Sequence, residues 1–195
     1  SGPVANARQV EWYHREIIAF FHFGMNTFEG VNEGEGKASP ELFNPTALDC
    51  HQWMNVLKKA GIPCAIFVAK HADGFCNWPS YYTNYSVKNS PWKDGKGDVV
   101  KEFTDACKAA GIKAAIYLGP HDRHDSRYGT PLYGDYYADQ LSELLRNYGP
   151  IREIWWDGAG ADKLTTPMYT RWADTVRKLQ PDCVIFGTKN SYQFA

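Results

Sequence analysis

The sequence predicts an α/β protein built on a parallel sheet. Short apolar runs alternate with helical patterns from one end of the chain to the other. Each apolar run ends in a polar or ionisable residue, and glycine closes three of the helices between them. Doubly wound and barrel forms both satisfy this order.

The first apolar run is residues 17–23 (IIAFFHF), a short buried strand ending in His22, Phe23 and Gly24. The glycine-rich stretch EGVNEGEGKASP follows and reads as a loop. Asn44, Pro45 and Thr46 then open a helix. Leu48, Trp53, Val56, Leu57 and Ala60 share its broad apolar face, and Gly61 stops it. Residues 64–69 (CAIFVA) form the second strand, ending in Lys70 and His71. A polar and aromatic loop covers residues 72–97. Asp98 caps the next helix, in which Val99, Phe103, Ala106 and Ala110 recur at helical spacing until Gly111. The third strand, 112–118, runs into Gly119, Pro120, His121 and Asp122. A helix over 133–148 ends at Gly149. The fourth strand, 151–156, ends in Asp157 and Gly158. A helix over 166–179 leads to a fifth strand at 184–187.

Composition narrows the function. The 195 residues suit one domain. A net charge of −1 lacks the basic surplus of a protein that binds nucleic acid or an anionic membrane surface. No apolar run approaches the roughly 18 residues of a membrane span. Neither G-x-G-x-x-G after the first strand nor G-x-x-x-x-G-K-[ST] occurs, so nucleotide binding lacks support. The five cysteines contain no C-x-x-C pair. They read as buried structural thiols, since Cys64 and Cys183 open apolar runs. Aromatic residues make up 15% of the chain. Trp and Tyr fill cores, and they also grip flat amphipathic ligands such as sugar rings.

In parallel α/β sheets, sites form at the carboxyl ends of the strands. Here those ends carry His22, Lys70 with His71, His121 with Asp122, Asp157 and Lys189. Five polar ends from five strands suggest one shared site. Side chains alternate with period two, so Phe20 points with His22 and Trp155 with Asp157. The result is a polar rim over an apolar floor, suited to a deoxy sugar that carries both hydroxyls and a methyl.

Several linked runs resemble α-L-fucosidases of glycoside hydrolase family 29. They are His22-Phe23-Gly24, Lys70-His71-Ala72-Asp73-Gly74-Phe75, Asn77-Trp78-Pro79-Ser80 and Trp155-Trp156-Asp157-Gly158. Tyr85-Ser86-Val87-Lys88-Asn89-Ser90-Pro91-Trp92, with Gly97-Asp98-Val99-Val100, is similar to the branch selective for α-1,3/1,4-fucosides. The resemblance implies a (β/α)8-type barrel of which this chain holds about the first five strands and four helices. Residues 1–195 are then the truncated N-terminal part of a single catalytic domain. It further implies a retaining exo-glycosidase that releases terminal α-L-fucose from fucosylated oligosaccharides. Asp157 matches the nucleophile. His22 and His71 match residues that hydrogen-bond fucose hydroxyls, Phe20 and Trp155 match apolar positions near its methyl, and Glu33, with Glu35 as the neighbouring choice, matches a fucose-binding glutamate. No cofactor or metal is implied. The partner is a fucosylated glycan, and the compartment is extracellular, periplasmic or lysosomal in type.

Three departures stand against the family pattern. Ala72 occupies a position that is usually a second His, and His121 follows Pro120 where that branch often has Trp. No Glu follows Asp157, so the acid/base Glu is not expected in this chain. Five strands cannot close an eight-stranded barrel, so self-association or a completing chain is expected. Two other readings compete. One is a non-catalytic module that binds fucosylated glycans. The other is a metal hydrolase using His22, His71, Asp73 and Asp157, which lacks the H-x-H pair expected on a first strand.

Overall fold

The structure, a computed structural model, describes residues 4–188 and Phe194; Lys189 lies outside the described residues. It contains helix α1 (Ala7–Tyr13), strand β1 (Ile18–Phe21), helices α2 (Met25–Glu29) and α3 (Cys50–Lys59), and strand β2 (Cys64–Lys70). Then come α4 (Val99–Ala110), β3 (Lys113–Leu118), α5 (Tyr133–Asn147), β4 (Glu153–Trp156), α6 (Thr166–Leu179) and β5 (Val184–Gly187). The five strands form one parallel sheet in sequential order, β1-β2-β3-β4-β5. Each strand lies beside its predecessor, so all crossovers advance in one direction.

Alternation gives the sheet two faces. Ala65, Phe67, Ile116, Ile154 and Trp156 belong to the main core, with Met54, Leu57, Phe103, Leu141 and Trp172 from the helices. The opposite face carries a smaller cluster of Cys64, Ile66, Val68, Ala115 and Tyr117, flanked by Ile18 and Trp155. This is the inner face, and it leads to the strand ends that matter below. All five cysteines are buried and unpaired.

Helix α1 is an element that the apolar runs do not announce. Asn6 caps it, and Asn6 and Gln9 close a reciprocal capping box. The helix lies at the amino ends of the strands. Trp12 Nε1 donates to Glu153 Oε2 at 2.6 Å, and Arg15 Nη1 approaches the same oxygen at 3.5 Å. Arg15 also pairs with Glu11 at 2.7 Å. Burial pushes the Glu153 carboxyl up to about 7, against the opposing pull of Trp12 and Arg15.

Helix α3 starts later than the sequence suggests. Asp49 is extended and accepts from Gln52 N at 3.0 Å, so the helix begins at Cys50 rather than near Pro45. That start sets which face is buried. Cys50, Met54 and Leu57 enter the core, while Val56 is 52% exposed and Ala60 faces solvent. Trp53 stacks on Phe21 with ring centroids 4.8 Å apart.

The aromatic loop after β2 is mostly scaffold. Trp78, Tyr85 and Trp92 are buried. Glu143 of α5 anchors the loop by accepting from Trp78 Nε1 at 2.9 Å, Ser80 Oγ at 2.8 Å and Tyr81 N at 2.7 Å.

Candidate active site

Strand β4 presents Trp155 and then Asp157 on the inner face. Tyr117, on neighbouring β3, pairs with Trp155 in register. Its hydroxyl therefore stands beside the end of β4 and donates to Asp157 Oδ2 at 2.8 Å. The other oxygen, Oδ1, accepts from Gly158 N at 2.6 Å. Both carboxylate oxygens are thus fixed while the side chain stays only half-buried. Burial and the Asp157 charge both push the Tyr117 phenol up, so it keeps its proton and remains the donor. Asp157 caps no helix, because the cap of α6 is Thr165.

Phe20 is 43% exposed and packs edge-on to Tyr117 (5.8 Å) and Trp155 (5.3 Å). Trp155 in turn lies 4.1 Å from Phe186 of β5. These rings make an apolar floor that begins next to the carboxylate.

Two imidazoles complete the rim. His22 is exposed, and its ring lies 4.5 Å from that of His71 in an edge-to-face arrangement. His71 stacks on Tyr117 at 5.8 Å, and its Nδ1 lies 3.2 Å from Asn26 Nδ2. Burial, and then His22, lower the His71 pKa, while Glu33 and Asp157 oppose them. A neutral imidazole in this position can both give and accept a hydrogen bond.

His71 reaches this face through an irregularity. Val68 pairs with Tyr117 but Lys70 pairs with Leu118, so Ala69 is an extra residue in β2. After it, Lys70 turns to the helix side and His71 turns inward. Lys70 is fully buried beneath α5, with Nζ 2.9 Å from Asp122 Oδ2, 2.9 Å from Gln140 Oε1 and 3.4 Å from Tyr133 Oη. Asp122 Oδ1 accepts from His124 N at 3.0 Å and Asp125 N at 2.9 Å. The expectation of one site built from all the polar strand ends is therefore corrected. Lys70 and Asp122 form a buried ion pair on the opposite side of the sheet, whereas His22, His71 and Asp157 share the inner mouth.

Glu33 sits on the loop after α2, with Oε2 2.7 Å from Arg123 Nη2. Its charge reaches His71, Tyr117 and His121. Glu35 is 75% exposed and lies farther from Arg123, at 3.7 Å. His121 packs on Tyr128 at 5.0 Å, and Tyr128 Oη donates to Gly160 O at 2.7 Å. Gly160 has φ +66°, and a Cβ there would fall 2.0 Å from Tyr128 Oη, so this rim requires glycine. Ala72 is buried, and its carbonyl accepts from Arg123 N at 2.8 Å.

The sequence reading missed Tyr117 and Arg123. Alternation along β3 places Tyr117 with Ala115 on the inner face, but only the register between β3 and β4 brings it to Asp157. Among the described residues, no three His, Cys, Asp or Glu side chains converge as metal ligands. Asp73, a candidate ligand from the sequence, is buried and accepts from Phe75 N at 3.2 Å. Nor is any described helix long and apolar enough to cross a membrane.

A parallel sheet in sequential order, with its polar groups gathered at the carboxyl ends, is the N-terminal part of a (β/α)8 catalytic domain of the glycoside hydrolase type. The chain belongs to the α-L-fucosidase family, whose sequence pattern it matches over residues 2–192. It is 46% identical to Alpha-L-fucosidase 1 of Arabidopsis thaliana over 188 residues, 95% of this chain and 37% of that protein. It is similar to a Bacteroides thetaiotaomicron crystal structure provisionally described as an α-L-fucosidase (68% identity, TM-score 0.96), with 100% of this chain and 43% of that chain covered. A Ruminococcus gnavus family 29 fucosidase in complex with fucose matches at 33% identity and TM-score 0.82, covering 91% of this chain and 40% of that one. The chain thus spans about two fifths of these relatives.

Proposed function

We propose that this chain supplies the nucleophile half of a retaining α-L-fucosidase acting on terminal fucose. The observation that carries the reading is the half-exposed Asp157 carboxylate, oriented by Tyr117 and Gly158 beside an apolar floor. In this mechanism Asp157 attacks the anomeric carbon as a glutamic acid protonates the departing glycosidic oxygen. The C–O bond to the leaving group breaks and an ester to Asp157 forms. Water, deprotonated by the same glutamate, then displaces the ester, and the configuration is retained. That second carboxyl must stand about 5–5.5 Å from the first. The chain spans about two fifths of its relatives, and we assign the second carboxyl to the part of such a protein that it does not cover.

His22 and His71 fit the hydroxyl-binding edge of the sugar, and Glu33 fits an acceptor on the same side. Phe20 and Trp155 fit its methyl. The motifs at Tyr85–Trp92 and Gly97–Val100 support preference for α-1,3/1,4-linked fucose on branched glycans. Comparing such a glycan with an α-1,2-linked one tests that preference. We place the protein in an extracellular, periplasmic or lysosomal-type compartment, with a fucosylated glycan as its partner.

The decisive experiment uses the full-length protein. A 2-fluoro-fucosyl inhibitor should form an ester on Asp157, located by peptide mass spectrometry, and Asp157→Asn should abolish hydrolysis of an aryl α-L-fucoside while fucose still binds. A label on another residue refutes this mechanism. Fucose binding without turnover by the intact wild-type protein supports a glycan-binding module instead.

A further inference from the structure

The loop that carries Glu33 contains no helix or strand between residues 31 and 39. Its position is set by side chains from neighbouring segments. Arg123, beyond the end of β3, is the main one. Its Nη2 donates to Glu33 Oε2 at 2.7 Å, and its Nη1 donates to Gly34 O at 3.0 Å and reaches Glu33 O at 3.5 Å. The Arg123 backbone is itself tied to the loop after β2, through its N–H to Ala72 O at 2.8 Å. Next to it, His124 Nδ1 lies 2.7 Å from Gly36 O. From the other side, Asn26 Oδ1 accepts from Gly34 N at 3.1 Å. One guanidinium therefore holds both the side chain and the backbone of the Glu33 segment, and with its backbone N–H Arg123 joins the loops that follow three successive strands.

We infer that Arg123 is a positioning residue that holds the Glu33 carboxylate at the mouth, ready to accept a hydrogen bond from a sugar hydroxyl. The inference rests on the fucosidase reading of this site. The physical reason is ordering. Glu33 is exposed, and a free glutamate loses considerable rotamer freedom when a ligand fixes it. The planar fork of Arg restrains it before the sugar arrives, and Lys, a point charge, cannot bridge the carboxylate and the carbonyls in the same way. A partly exposed ion pair contributes little to folding. The loss should therefore appear in substrate binding more than in unfolding.

The test is a double-mutant cycle in the full-length protein, with Arg123→Ala, Arg123→Lys, Glu33→Gln and the double variant Arg123→Ala/Glu33→Gln. Arg123→Ala is expected to raise KM for an aryl α-L-fucoside about tenfold with kcat within about threefold, and to shift Tm by no more than about 3 °C. Arg123→Lys should recover part of the loss. The double variant should lose clearly less than the product of the two single losses, because Arg123 acts on the sugar through the Glu33 carboxylate. Calorimetric fucose binding reads the same effect without turnover. Wild-type KM in Arg123→Ala, multiplying losses in the double variant, or a Tm that falls in step with activity overturns the inference. A wild-type protein that neither binds nor cleaves fucosides overturns instead the fucosidase reading beneath it.

Discussion

Replacing Tyr117 by Phe removes one oxygen and leaves the ring. The contacts of that ring with Phe20 and His71 persist, so the floor and the His71 stack stay in place. The 2.8 Å bond to Asp157 Oδ2 is lost, and the carboxylate keeps only Gly158 N. A hydrogen bond to a charged group contributes about 1.5–3 kcal/mol. Asp157 is half-buried, so water can take the vacated place, and the lower figure applies. At about 1.4 kcal/mol per tenfold, kcat/KM should fall roughly tenfold. Most of the fall belongs in kcat, since the bond orients the attacking group rather than the bound sugar. The assay is steady-state hydrolysis of an aryl α-L-fucoside by the full-length protein, with Tm measured alongside. Activity within twofold of wild type, or a loss confined to KM, refutes the claim that Tyr117 orients the nucleophile.

Lys70→Met strands the buried Asp122 carboxylate and should cost about 3 kcal/mol or more, a Tm drop of at least about 6 °C by thermal denaturation. A drop under 2 °C contradicts the assigned ion pair. Glu153 supplies a pH test. Its folded-state pKa is raised to about 7 from 4.5, so its contribution is intact below about pH 4.5 and is lost as pH rises through 7. Ionising it costs on the order of 3 kcal/mol. The Tm of Glu153→Gln minus that of wild type should therefore increase between pH 5 and pH 9, and a flat difference refutes it.

The strands were legible because each is an apolar run of the right length. Helix α4 was legible from its spacing and its Asp98 cap, and α5 from the glycine that closes it. Helix α1 escaped because it buries none of its residues; its signal is the Asn6–Gln9 capping pair rather than an apolar stripe. Helix α2 escaped because its five residues, set between Gly24 and Gly30, are too few for a helical period to show. In the site, His22, His71 and Asp157 came from strand ends, where polarity against an apolar background stands out. Glu33 came from family resemblance alone. Tyr117 and Arg123 escaped because their roles depend on register and on loop contacts some ninety residues apart. Lys70 looked like a member of the site because it is a polar residue at a strand end beside His71, and the irregularity at Ala69 that turns it to the other face has no signal in the sequence.

That one supernumerary residue in β2 sorts two neighbours to opposite destinies. Were Ala69 paired in turn, with alternation unbroken, the ammonium, which can only give hydrogen bonds, would face the inner mouth, while the imidazole, which can give and receive, would be sealed under α5. Deleting Ala69 should therefore straighten the strand and leave both groups where they are, because Lys70 would then follow Val68 opposite Leu118 in regular alternation.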